Sequence, residues 1–96
     1  MTGRDAIYAH IEQNLDAHVA NIQRLVRQPS VSLEKTGLRE CAAVLVENML
    51  AAGFTQASIV DVGDDYPGVF ASVDCGKPVT MLCYGHYDVR PVGTEP

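Results

Sequence analysis

No cluster of basic residues occurs in this sequence, no apolar run is long enough to cross a bilayer, and no Cys-x-x-C pair is present. Each absence removes a class of function. The cations Arg4, Arg24, Arg27, Lys35, Arg39, Lys77 and Arg90 are scattered along a chain of net charge −5. Phosphate binding needs several Lys and Arg side chains gathered on one surface, so nucleic acid is excluded as a partner. No basic amphipathic face suits a membrane surface, and no stretch approaches the roughly 18 apolar residues of a membrane helix. The first eleven residues are polar, with Arg4, Asp5 and His10, and lack the apolar centre of a signal peptide. There is no Asn-x-Ser/Thr acceptor. Cys41, Cys75 and Cys83 are odd in number and have no paired spacing, so they read as reduced, mostly buried thiols. Nothing places a base beside any of them to make a nucleophile. The expected location is the cytoplasm.

What is present is the composition of a folded chain. Apolar residues make up 47% and charged residues 20%, well away from the disordered range. The 96 residues suffice for one small unit with a modest core. Ile7, Ile11, Leu15, Val19, Ile22 and Val26 recur at helical spacing and predict a helix over 5–27. Thr2 with Asp5 three residues on is a start signal, and Pro29 is the stop. Ser30-Val31-Ser32 is a short extended connector. A second helix is expected over 38–52, with Leu38, Ala42, Leu45, Met49 and Leu50 on its buried face and Cys41 and Val46 beside it. Gly53 stands where a helix end takes a left-handed residue.

Three strands are expected next. The first covers 57–62, with Ile59, Val60 and Val62 supplying β-branched side chains. Turn formers fill 63–68, and Asp64 and Asp65 there read as solvated. The second strand covers 69–74, and residues 75–78 suit a hairpin loop. The third, 79–85, is almost continuously apolar, as a strand covered on both faces should be. The expectation is therefore an α/β fold: two helices, then three strands in a mixed sheet layered with the helices. Residues 93–96 read as the start of a loop, so residues 1–96 are expected to be the N-terminal part of a larger catalytic domain.

The chemistry concentrates in Tyr84-Gly85-His86-Tyr87-Asp88-Val89-Arg90-Pro91, at the carboxyl end of the expected third strand, where open α/β sheets bind ligands. His86 and Asp88 are two apart, so an extended backbone points both to one side. A neutral imidazole is a good zinc ligand, and a carboxylate behind it holds the ring in one tautomer. On spacing alone the plainer reading is favoured: His86 as a hydrogen-bonded core histidine, Asp88 as a cap for the turn toward Pro91, and Gly85 as a packing glycine. A near match to the zincin pattern lies at His10-Ile11-Glu12-Gln13-Asn14, but Asn14 stands where a second histidine is needed. His10, Asn14 and His18 read as a solvated helix flank.

The string from Tyr84 to Pro91 resembles the first metal motif of the di-zinc exopeptidases. That family contains the carnosinase-like cytosolic dipeptidases, aminoacylases, carboxypeptidase G and succinyl-diaminopimelate desuccinylase. The Tyr between His86 and Asp88 is most similar to the carnosinase-like branch. Arg27-Gln28-Pro29-Ser30-Val31-Ser32 resembles the family's Pro-Ser-Val-Ser connector, and the helix ending Ala52-Gly53-Phe54 before a strand is also similar. The resemblance covers essentially the whole sequence. It implies that His86 ligates one of two zinc ions, with manganese or cobalt as alternative metals. It implies that Asp88 acts in catalysis by steadying the His86 ring, and that Gly85 lets the backbone pass close to the site. Arg90 departs from the Gln expected in the dipeptidase branch and lies outside the His-x-Asp pair. The implied reaction of the full-length enzyme is hydrolysis of a dipeptide by metal-activated water, with a Glu as base. The other ligands and that Glu have no counterpart in these residues, so the fragment alone is expected to be inactive. The resemblance leaves a homodimer open for the full-length enzyme. Alternatives are an N-acyl amino acid hydrolase or desuccinylase of the same family, and a non-catalytic remnant or binding module.

Overall fold

The computed structural model describes residues 2–63 and 65–93. Asp64, expected to be solvated in a turn, lies outside the described residues, as do residues 94–96 of the expected terminal loop. The chain is a small α/β arrangement in which three helices precede a two-stranded antiparallel sheet.

Helix α1 (Gly3–Gln13) starts as the sequence predicts. The Thr2 hydroxyl accepts from the Asp5 amide at 3.1 Å, and the Asp5 carboxylate accepts from the Thr2 amide at 3.3 Å. This reciprocal box satisfies donors that the first turn leaves open. The helix expected to run unbroken to Arg27 is instead divided at Asn14, where α2 (Leu15–Arg27) begins. Asn14 has φ −115° and ψ 16°, and its side-chain amide donates to the His10 carbonyl at 2.8 Å. Its backbone amide is shared between the carbonyls of His10 and Ile11. A short amide side chain that bonds nearby backbone competes with the helical ladder, which apolar spacing alone does not reveal. The apolar stripe of α1 and α2 stays on the surface: neither helix buries a residue, and Val26 is 77% exposed.

The core is built around α3 (Leu38–Ala52). Its first turn and a half supplies the buried apolar side chains Leu38, Cys41 and Ala42. Leu45 and Met49, expected to be buried, are half-buried, and Leu50 is exposed. Gly37, with φ +71°, leads into the helix, and Gly53, with φ +112°, closes it. Beyond Gly53, the Phe54 amide donates to the Met49 carbonyl at 3.1 Å, taking up a helix-end acceptor. An ion pair between Arg24 and Glu47 ties α2 to α3.

Strands β1 (Gln56–Asp61) and β2 (Pro67–Ser72) pair in register from Gln56 opposite Ser72 to Asp61 opposite Pro67. Both pack against α3, and Arg39 of α3 reaches Asp61 at 2.6 Å. Asp61 holds the Arg39 guanidinium above its ordinary pKa. The expected third strand does not form among the described residues. Residues 79–85 are without a ladder partner and open to solvent, with Met81 83% and Leu82 87% exposed. An apolar run satisfies the pattern of a covered strand, but burial requires a neighbour on each side, and none of the described residues provides one. The sheet is accordingly antiparallel rather than mixed, and the parallel contact among the described residues is the single bridge Val31–Val89. The cysteines are all free, but only Cys41 is buried; Cys75 and Cys83 are exposed, contrary to the expectation for most of them.

The radius of gyration is 16.1 Å. A compact chain of this length would have about 12.5 Å. Among the described residues no helix is long and apolar enough to cross a membrane.

Candidate functional site

The connector at residues 30–32 and the segment at 87–89 are far apart in sequence and lie side by side in the fold. Ser30 is 4% exposed. Its hydroxyl donates to the Tyr87 carbonyl at 2.8 Å, and its own carbonyl accepts from the Val89 amide at 2.9 Å. Val31 bridges Val89 in parallel. On its other side Val31 exchanges two backbone hydrogen bonds with Thr36, at 2.9 and 3.0 Å. The connector is thus held by backbone bonds on both sides at Val31, while Ser32, expected to be extended, opens the turn at 32–35, its carbonyl accepting from the Lys35 amide at 3.2 Å. Tyr87 is half-buried, and its hydroxyl donates to the Pro67 carbonyl, pinning the segment to β2. Burial raises the Tyr87 hydroxyl above its ordinary pKa.

This lattice sets the geometry of His86 and Asp88. Ser32 donates its hydroxyl to Asp88 Oδ2 at 2.8 Å. Asp88 Oδ1 faces His86 Nδ1 at 3.3 Å. The Tyr84 hydroxyl sits 3.2 Å from His86 Nε2, with the two rings edge to face at 5.5 Å. Four side chains therefore form one line, Ser32–Asp88–His86–Tyr84. The i, i+2 expectation holds for His86 and Asp88, although the backbone is extended coil there and not a strand. An ionised carboxylate can only accept, so the proton of a neutral His86 ring belongs on Nδ1 and Nε2 presents its lone pair, to which the Tyr84 hydroxyl donates. The Ser32 hydroxyl, and after it His86, hold the Asp88 carboxyl below its ordinary pKa. His86 and Asp88 line an open cleft of about 160 Å³ together with Ser32, Leu38, Pro67 and Gly85.

Among the described residues a Cβ at Gly85 would meet no atom within 4 Å.

A carboxylate-backed imidazole whose other nitrogen carries the lone pair is a donor that fits zinc once the Tyr84 hydroxyl gives way. Among the described residues no three His, Cys, Asp or Glu side chains converge to complete a ligand set. The His10 and His18 rings approach to 6.0 Å across the break at Asn14, on an exposed flank as expected. Asp65 is exposed with φ +62°, in keeping with a solvated turn.

Sequence reasoning singled out His86 and Asp88 and missed Ser30, Ser32 and Tyr84. Ser30 and Ser32 stand in the connector that the sequence singles out, and their hydroxyls reach the Tyr87 carbonyl and the Asp88 carboxylate. Nothing in the spacing told that segment which distant residues it would meet.

Comparisons of the chain with protein-family models, with curated proteins and with solved structures gave no match.

Proposed function

We propose that this chain carries one metal ligand of a di-zinc hydrolase that cleaves dipeptides, with His86 as the ligand and Asp88 as the carboxylate that steadies its ring. The observation that carries the reading is the 3.3 Å approach of Asp88 Oδ1 to His86 Nδ1, which leaves Nε2 as the ring's donor atom at the edge of a cleft. Carboxylate-backed histidines are the recurrent form of zinc-ligating imidazoles. The wording of the sequence around the pair, Gly85-His86-Tyr87-Asp88-Val89 with Pro91 beyond, supports the same reading.

When bound, zinc supplies Lewis acidity and a water of lowered pKa, and manganese or cobalt would suit the same donor types. The residues here bind and orient. The Tyr84 hydroxyl turns away from Nε2 to free the lone pair, which its 85% exposure permits. Asp88 keeps the Nδ1 proton in place and offsets positive charge gathering on the ring. No ligand set converges among the described residues, so the reading requires the remaining ligands and a proton-accepting Glu from elsewhere in the protein. It places the enzyme in the cytoplasm, with a dipeptide or small peptide as substrate and homodimerisation open.

The test uses the product of the complete reading frame. Zinc content and hydrolysis of a dipeptide and of an N-acetylated amino acid are measured for the parent, His86→Ala and Asp88→Ala. The parent is expected to hold zinc and favour the dipeptide. Asp88→Ala should weaken metal affinity or activity by about 10–100-fold. Preference for the acetylated amino acid would move the assignment to the N-acyl hydrolases. A parent without zinc that hydrolyses neither compound, or an Asp88→Ala protein with unchanged zinc and rate, overturns the proposal.

A further inference from the structure

We infer that Ser32 is a positioning residue of this site, acting on His86 through Asp88. The argument starts from the lengths of the two bonds to the carboxylate. The Asp88–His86 contact is 3.3 Å, long for a charge-assisted N–H···O bond, which is normally about 2.7–2.9 Å. A contact of that length sets the tautomer of the ring but leaves the rotation of the carboxylate to be fixed by a second bond. The Ser32–Asp88 bond is 2.8 Å and takes the other oxygen. It therefore fixes the rotation of the carboxylate, and with it the direction in which Oδ1 points.

Ser32 can do this because its own backbone is held. Ser30, two residues earlier and buried, is bonded to the Tyr87 carbonyl and the Val89 amide, and Val31 is bridged to Val89. Those links bracket Asp88 from both sides in sequence. The hydroxyl of Ser32 is thus set against the carboxylate by a lattice independent of the His86 ring. The side chain itself is only half-buried, so its bond to Asp88 is not demanded by a buried polar group in need of a partner. Ser32 touches neither the reacting atoms nor the metal position; it works by orientation alone.

The inference rests on the hydrolase reading for the use made of His86, but its test does not. The imidazole nitrogens of His86 are observed by ¹⁵N NMR at a pH where the ring is neutral. A Tyr84→Phe background is used so that the phenol's hydrogen bond to Nε2 does not mask the effect. Four side chains are compared at position 32: Ser, Ala, Thr and Val. Thr and Val share a shape and differ in the hydroxyl, so this pair decides the matter even where Ser32→Ala fails to fold. Ser and Thr should keep the Nδ1–H tautomer dominant. Ala and Val should lower the ratio of Nδ1–H to Nε2–H by about threefold to tenfold, the effect of one net hydrogen bond. Zinc affinity, measured by competition on the same proteins from the complete reading frame, should fall about tenfold with the hydroxyl.

Equal tautomer ratios in the Thr and Val proteins overturn the role of Ser32. If the ratios follow the hydroxyl but no protein binds zinc through His86, the hydrolase reading fails and the positioning role stands. If zinc binds through His86 while the ratios ignore the hydroxyl, the positioning role fails and the hydrolase reading stands.

Discussion

Replacing Gly37 with alanine should loosen the packing that supports the His86–Asp88 site, and the chain contains its own reporter. Gly37 has φ +71°, and a Cβ built on it would lie 2.1 Å from the Pro29 carbonyl oxygen and 2.8 Å from the Pro29 carbonyl carbon. Left-handed geometry costs an ordinary residue about 1–2 kcal/mol. The overlap must be relieved by moving Pro29 backbone, and forcing a methyl into filled space costs about 1–3 kcal/mol more. The sum is about 2–5 kcal/mol, and each 1.4 kcal/mol is about a factor of ten in an opening equilibrium. Cys41 begins the next turn: its amide donates to the Gly37 carbonyl at 2.9 Å, and it is 1% exposed. Cys75 and Cys83 are exposed and serve as internal standards. Under conditions where opening is fast relative to labelling, alkylation of Cys41 relative to the other two should rise at least about 30-fold in Gly37→Ala. Gly53→Ala is the control. Gly53 is also left-handed, with φ +112°, but a Cβ there would meet nothing within 4 Å and it lies at the far end of α3. Its strain is that of αL geometry alone, about 1–2 kcal/mol, so its effect on Cys41 should not exceed about 30-fold and should stay below that of Gly37→Ala. A Cys41 rate within threefold of the parent in Gly37→Ala, or an equal rise in Gly53→Ala, would refute the steric argument.

Two further outcomes follow from the same core. Burial raises the Cys41 thiol, and the Ser30 hydroxyl offsets this only in part. Between the ordinary thiol value and the raised one, the folded chain keeps a proton that the unfolded chain has lost. Stability present below the ordinary range, about 8.5, therefore declines as pH rises through the raised value. Urea midpoints from neutral pH to pH 10 should fall more steeply for the parent than for Cys41→Ala, and parallel curves would reject this. Leu38 is 5% exposed and belongs to a core with few other members, so Leu38→Ala should cost about 2–5 kcal/mol by urea unfolding. A loss under 1 kcal/mol would mean that the chain's stability resides elsewhere.

Local signals were legible in the sequence because the forces behind them are local. Thr2 and Asp5 cap α1 through bonds three residues apart, and Gly53 ends α3 because a left-handed residue is needed there. The hairpin strands lie within two residues of their expected places, since β-branched side chains and turn formers mark them. His86 and Asp88 share a side because an extended chain alternates. Asn14 divides the helical period, its side-chain amide bonded to the His10 carbonyl beside an apolar stripe that stays 43–77% exposed. The run at 79–85 has the apolarity of a buried strand, but a strand exists only where another backbone takes its hydrogen bonds. The α/β class and the His-x-Asp pair were thus determined by the sequence alone. The tertiary structure decided that Ser30-Val31-Ser32 lies against residues 87–89 and completes the line Ser32–Asp88–His86–Tyr84. Ser32 and Asp88 are 56 positions apart, and only the folded path of α3 and the hairpin brings such residues within 2.8 Å.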